Sequence, residues 1–72
     1  MTKEGKQEVS EAIKSLYETM GKVERLSGEE LRKCHNTHKT SFQETADQLM
    51  DAVGYINEAI EHLEALLAEE ED

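Results

Sequence analysis

The stretch FQETADQLMDAVGYINEAIEHLEALL, from Phe42 to Leu67, decides the fold that the sequence predicts. Apolar residues recur in it every seven positions, in two interleaved series. The first series is Phe42, Leu49, Ile56 and Leu63, and the second is Ala46, Val53, Ile60 and Leu67. This is the heptad seam along which helices coil around one another. We therefore predict a long helix whose seam packs against another helix.

A second apolar stripe lies nearer the N-terminus. It consists of Val9, Ile13, Leu16, Met20 and Val23. The spacing alternates between four and three residues, which places all five on one face of a helix. The stripe predicts a first helix from about residue 3 to about residue 26.

A local signal follows this stripe. Ser27 precedes Glu30 by three positions, the spacing of a capping box, in which serine and glutamate side chains bind the free backbone N–H groups that open a helix. Gly28 adds flexibility beside it. We therefore predict a turn at residues 27–28 and a new helix from about residue 28 to about residue 69.

The stretch RKCHNTHKTS, residues 32–41, interrupts the pattern. Followed backwards from Phe42, the seam would place Lys39 and His35 in core positions, and Asn, Thr, His and Ser weaken helical preference. A second capping box is available from Ser41 to Glu44. We predict a kink or break near residues 36–41, with an unbroken second helix as the alternative. The acidic end, residues 70–72, is predicted to fray because its charges oppose the helix dipole.

Together these signals predict a single all-α domain over residues 1–72, built as a helical hairpin or a kinked two- or three-helix antiparallel bundle. A first helix of about 36 Å would cover little more than half of an unbroken second helix of about 62 Å. The uncovered seam predicts self-association, most simply as a homodimer. The predicted oligomer interface consists of Phe42, Leu49, Val53, Ile56, Ile60, Leu63 and Leu67.

Charge and composition exclude several functional classes. The net charge of −9 would repel DNA, RNA and anionic lipid, so we expect neither a nucleic-acid partner nor a membrane surface. The chain has no apolar run of about 18 residues, so we expect no membrane span. Its polar, acidic start is unlike a signal peptide, and one cysteine cannot form an internal disulfide. We therefore predict a cytoplasmic protein.

Residues 32–39 are the one place where basic side chains cluster away from carboxylates. The candidate ligand-binding residues are Arg32, Lys33, His35, His38 and Lys39. Arginine and lysine bind phosphate oxygens, so the segment could hold a small anion such as a nucleotide. Cys34 and His38, four apart, could present two ligands to a zinc ion, although a closed site needs four. Solvated, purely structural side chains are the alternative.

No catalytic signature occurs in the chain, so we expect no enzyme and no cofactor. The function predicted is a non-enzymatic protein-interaction module, such as a small bacterial or phage regulator or inhibitor that binds and blocks another protein. One alternative is an oligomeric helical protein that captures a small anionic ligand or a metal at residues 32–39. Another is an acidic DNA mimic, which needs carboxylates arrayed like phosphates.

Overall fold

Two long antiparallel helices form the protein. The computed structural model describes residues 1–69, and its helices are α1 (Lys3–Thr37) and α2 (Thr40–Glu69). They pack side by side in a hairpin of 54 × 14 × 12 Å. Its length is close to the ~52 Å that a helix of 35 residues, the length of α1, spans. The predicted all-α hairpin is confirmed, and neither helix could cross a membrane. The predicted frayed tail, residues 70–72, lies outside the described residues.

The predicted turn at residues 27–28 is wrong, because α1 continues through it to Thr37. Ser27 is no helix cap: it is 1% exposed, and its hydroxyl donates a hydrogen bond of 3.0 Å to the carbonyl oxygen of Ala46 in α2. Gly28 has ordinary helical geometry, since no glycine of residues 1–69 has a positive φ. A serine that can bind across to another helix needs no cap role, so the tertiary contact outweighs the local signal.

The chain reverses at His38 and Lys39, within the segment where a break was predicted. His38 adopts the left-handed conformation (φ 60°, ψ 27°), and its N–H donates to the carbonyl oxygen of Cys34 at 2.7 Å, which ends α1. Thr37 stabilises the corner, because its hydroxyl donates to the carbonyl of Lys33 at 2.7 Å and accepts from the N–H of Lys39 at 3.4 Å. α2 then begins at Thr40, one residue ahead of the predicted second capping box.

The core is a seam of matched positions along both helices. On α1 the four-and-three spacing runs on past Val23 through Ser27, Glu30 and Cys34, and every seam position is buried or half-buried. On α2 the same is true from Phe42 to Leu67, with Ala46 and Ile60 each 1% exposed. The predicted first helix, too short to cover the second, is therefore wrong. With 35 residues, α1 spans the whole seam of α2.

Candidate interaction surfaces

The residues predicted as an oligomer interface face α1 within the same chain. They are Phe42, Leu49, Val53, Ile56, Ile60, Leu63 and Leu67. Since α1 and α2 are the only helices of residues 1–69, the burial of these side chains comes from α1. A second chain that used the same residues would have to displace α1. Self-association through this seam stays a prediction, and the hairpin gives the seam another role.

The predicted anion-binding residues lie at the closed end of the hairpin, and the structure gathers only two of them. Arg32 and Lys33 line a shallow surface depression of about 210 Å³, together with Glu29 and Asn36. The other three do not line it. His35 lies in the last turn of α1, His38 caps that helix and Lys39 lies in the connection.

The charges of this depression do not favour a strong anion site. The ammonium of Lys33 lies 3.3 Å from a carboxylate oxygen of Glu30 and 5.9 Å from the centre of the Phe42 ring. Glu29 adds a carboxylate to the wall of the depression. An incoming phosphate would meet one already paired lysine, one arginine and one like charge, and would lose part of the attraction that Arg32 offers.

The two predicted metal ligands, Cys34 and His38, contact each other through backbone atoms. Cys34 is a free, half-buried thiol on the seam, and the contact recorded between it and His38 joins the His38 N–H to the Cys34 carbonyl. Residues 1–69 contain no group of three or more His, Cys, Asp or Glu side chains placed to hold a metal ion. Two ligands fall short of the four that a closed zinc site uses.

A further surface, on α2, went unrecognised in the sequence. It runs along one side of the helix with the same four-and-three spacing as the seam, and we call it the neutral stripe. Its members are Ser41, Thr45, Gln48, Ala52, Tyr55, Ala59, His62 and Leu66. None of them is Lys, Arg, Asp or Glu, although α2 is strongly acidic. Its signal in the sequence is the absence of charged residues at positions that recur with helical spacing.

Tyr55 lies at the centre of the neutral stripe. It is 72% exposed, the highest value for a large hydrophobic side chain in residues 1–69. Ala52 and Ala59 lie one helical turn to either side of it along the stripe, Ala52 half-buried and Ala59 exposed. The small neighbours leave the tyrosine ring prominent and accessible to another molecule.

Five of the seven carboxylates of α2 follow a separate row on the side away from α1. The row consists of Glu44, Asp47, Asp51, Glu58 and Glu61, all of them exposed. α2 therefore packs an apolar seam against α1, whereas the neutral stripe and the acidic row face its surroundings. Only the neutral stripe combines exposed apolar area with the absence of charge.

Comparisons of this chain with protein-family models, with curated proteins and with solved structures found no match.

Proposed function

We propose that this chain is a non-enzymatic protein-interaction module, in the manner of a small bacterial or phage regulator that binds and blocks a larger protein. The surface that binds is the neutral stripe of α2. The observation that carries the proposal is Tyr55, 72% exposed at the centre of an uncharged side of an otherwise acidic helix. The free thiol of Cys34 fits a reducing compartment such as the cytoplasm.

The energetics of association favour such a surface. Tyrosine is enriched among the few residues that supply most of the binding energy of protein interfaces, because it buries a large rigid ring and keeps a polar hydroxyl. The alanines beside Tyr55 let a partner approach the helix closely. No charged side chain along the stripe has to be stripped of water, a step that is costly for unpaired ions.

The chemistry of the partner follows from what borders the stripe. Three carboxylates lie along its outer edge, each directly preceding a member of the stripe in the sequence: Glu44, Asp51 and Glu58. A complementary partner has an apolar helix or groove that accepts Tyr55, with lysine or arginine along one rim. The carboxylates would steer such a partner during encounter, an effect that weakens as salt is added.

Capture experiments with two matched variants test this proposal. Ala59→Glu places a carboxylate in the neutral stripe, whereas Ala65→Glu makes the same change on the outer side of α2, and both positions are exposed. The immobilised protein is used to capture bacterial or phage-infected lysate proteins, which are quantified by mass spectrometry. We expect a partner that Ala59→Glu loses and Ala65→Glu retains. A partner that tolerates both changes would contradict binding through the stripe.

The acidic row supports a second candidate function, the acidic DNA mimic. Its five carboxylates cover about 26 Å of helix at 1.5 Å per residue, so successive charges lie about 6 Å apart along the axis. One DNA strand carries a charge about every 3.4 Å, so the row has roughly half that density. In the same capture experiment this candidate requires DNA-binding proteins that free duplex DNA competes away, whichever alanine is changed.

A further inference from the structure

Within residues 1–69, no other element covers the side of the hairpin opposite the neutral stripe. Tyr17 and Leu31 on α1 and Met50 on α2 each directly follow a seam residue. In an antiparallel helix pair, these positions lie along the same edge of the seam. Three large apolar side chains and three glycines lie on this side, which we call the glycine face. Its members are Tyr17, Gly21, Gly28, Leu31, Met50 and Gly54.

The apolar side chains of this face are half in contact with water. Tyr17 and Leu31 are each 47% exposed and Met50 is 46% exposed. They account for half of the exposed large hydrophobic residues found in residues 1–69. Grouped on one side of a narrow rod, they form the kind of patch that marks a protein interface rather than the scattered exposure of an ordinary surface.

Nothing inside the hairpin requires glycine at the glycine positions of this face. Gly21, Gly28 and Gly54 all lie within helices, and none has a positive φ. A Cβ built on any of them would meet no atom within 4 Å, so alanine would fit each position and would strengthen the helix. A missing side chain on an outer helix face does allow another helix to approach closely.

The chain exposes more surface than a compact monomer of its mass, as expected for a protein that buries part of its surface against a partner. The hairpin exposes 5540 Å², whereas a compact monomer of 8.2 kDa exposes about 4,500 Å². The excess of about 1,000 Å² compares well with the ~800 Å² that each partner buries in a standard interface.

We propose that a second copy of this chain docks on the glycine face, giving a four-helix bundle in which α1 of each copy packs on α2 of the other. Charge selects this pairing. On α1 the face carries Lys3 and Lys14 as well as Glu24. On α2 it carries Glu64 together with Asp47 and Glu61, the two members of the acidic row that border it. α1 against α2 therefore brings basic residues to acidic ones. The opposite pairing would bring the three carboxylates of α2 against their own copies and repel.

The register of the hairpin fixes which residues meet. The connection at His38 and Lys39, together with the Ser27–Ala46 hydrogen bond, places Gly21 about level with Gly54. A two-fold axis along the length of the hairpin preserves these levels, so Gly21 of one copy meets Gly54 of the other. Lys14 then lies level with Glu61 across the interface. The neutral stripe remains exposed on the outside, so the dimer and the proposed partner do not compete.

Sedimentation equilibrium on the full chain tests the dimer. We expect the wild-type protein to reach the mass of two copies in the micromolar range, as interfaces of standard area do. Gly21→Gln should weaken the dimer by about tenfold or more, because its side chain would be forced into a packed contact. Helicity should be retained, since glutamine is a better helix former than glycine. Ala65→Gln, on the outer side of α2, is the control and should leave the dimer unchanged.

A charge exchange tests the register. Lys14→Glu and Glu61→Lys should each weaken the dimer several-fold, and the double variant should restore it. A wild-type monomer at about 100 μM, far above micromolar affinity, would overturn the proposal. A dimer that Gly21→Gln leaves intact, or that Tyr55→Ala dissociates, would overturn it equally, because another face would then hold the two copies. A wild-type monomer, or a dimer that Gly21→Gln leaves intact, does not bear on capture of a different protein by the neutral stripe. Dissociation by Tyr55→Ala would instead show that the stripe itself holds the second copy.

Discussion

Replacing Ser27 with Asp separates the two roles that a serine at this position can have. At a helix N-cap, Asp is about as good as Ser, so a cap at residue 27 would tolerate the change. In the hairpin, Ser27 is 1% exposed and donates to the Ala46 carbonyl at 3.0 Å. A carboxylate cannot donate to that oxygen, and it would bury a negative charge against it. We therefore expect Ser27→Asp to be strongly destabilising.

The magnitude follows from these contacts. Loss of the hydrogen bond costs about 0.5–1.5 kcal/mol, and an uncompensated buried charge costs about 3–5 kcal/mol. A domain of this length has a free energy of unfolding of about 4–11 kcal/mol. Ser27→Asp should therefore remove a large part of the stability, or all of it. Ser27→Ala should cost about 1 kcal/mol or less, because the gain in helix propensity offsets part of the lost hydrogen bond.

Urea unfolding followed by far-UV circular dichroism measures the effect. All variants are compared at one protein concentration, because association contributes to apparent stability. Ser15→Asp is the matched control: it makes the same change at an exposed position of α1 and should stay within about 0.5 kcal/mol of wild type. If Ser27→Asp unfolds at the same urea concentration as Ser15→Asp, the buried interhelical role of Ser27 is refuted.

Two further predictions concern the closed end of the hairpin. His38→Gly should stabilise the protein by about 1 kcal/mol, because glycine adopts the left-handed conformation found there (φ 60°) without a Cβ penalty; we expect a melting temperature higher by roughly 4–8 °C, and a lower one would contradict the role of His38 as a strained helix end. Inorganic phosphate, a nucleoside diphosphate or Zn²⁺ at millimolar concentration should leave the melting temperature unchanged, because Lys33 is paired with Glu30 and Glu29 lines the same depression. A ligand present at 100 times its Kd would add about 2.7 kcal/mol of stability, so a clear rise that Arg32→Gln abolishes would restore the anion-binding alternative.

The candidate surfaces were only partly predictable from sequence. Arg32 and Lys33 were recognised from charge clustering, and the structure does bring them together. The pairing of Lys33 with Glu30 and the position of Glu29 on the wall of the same depression depend on side-chain geometry that residue types alone do not specify. The neutral stripe was readable in principle, since its spacing needs only the sequence and a helix. Its exposure was not, because a stripe beside the seam of α2 could equally have been covered by α1.

The sequence by itself determined that the chain is helical and where its two apolar stripes lie, and it favoured a kink or break near residues 36–41 over an unbroken second helix. Periodicity and propensity are local properties, and they need no knowledge of what packs against what. Only the tertiary structure decided that α1 runs through Ser27 and Gly28, since a hydroxyl spaced like a helix cap can equally bind a carbonyl on another helix. That one decision lengthened α1 until it covered the seam from Phe42 to Leu67, and so determined which surfaces were left free to bind.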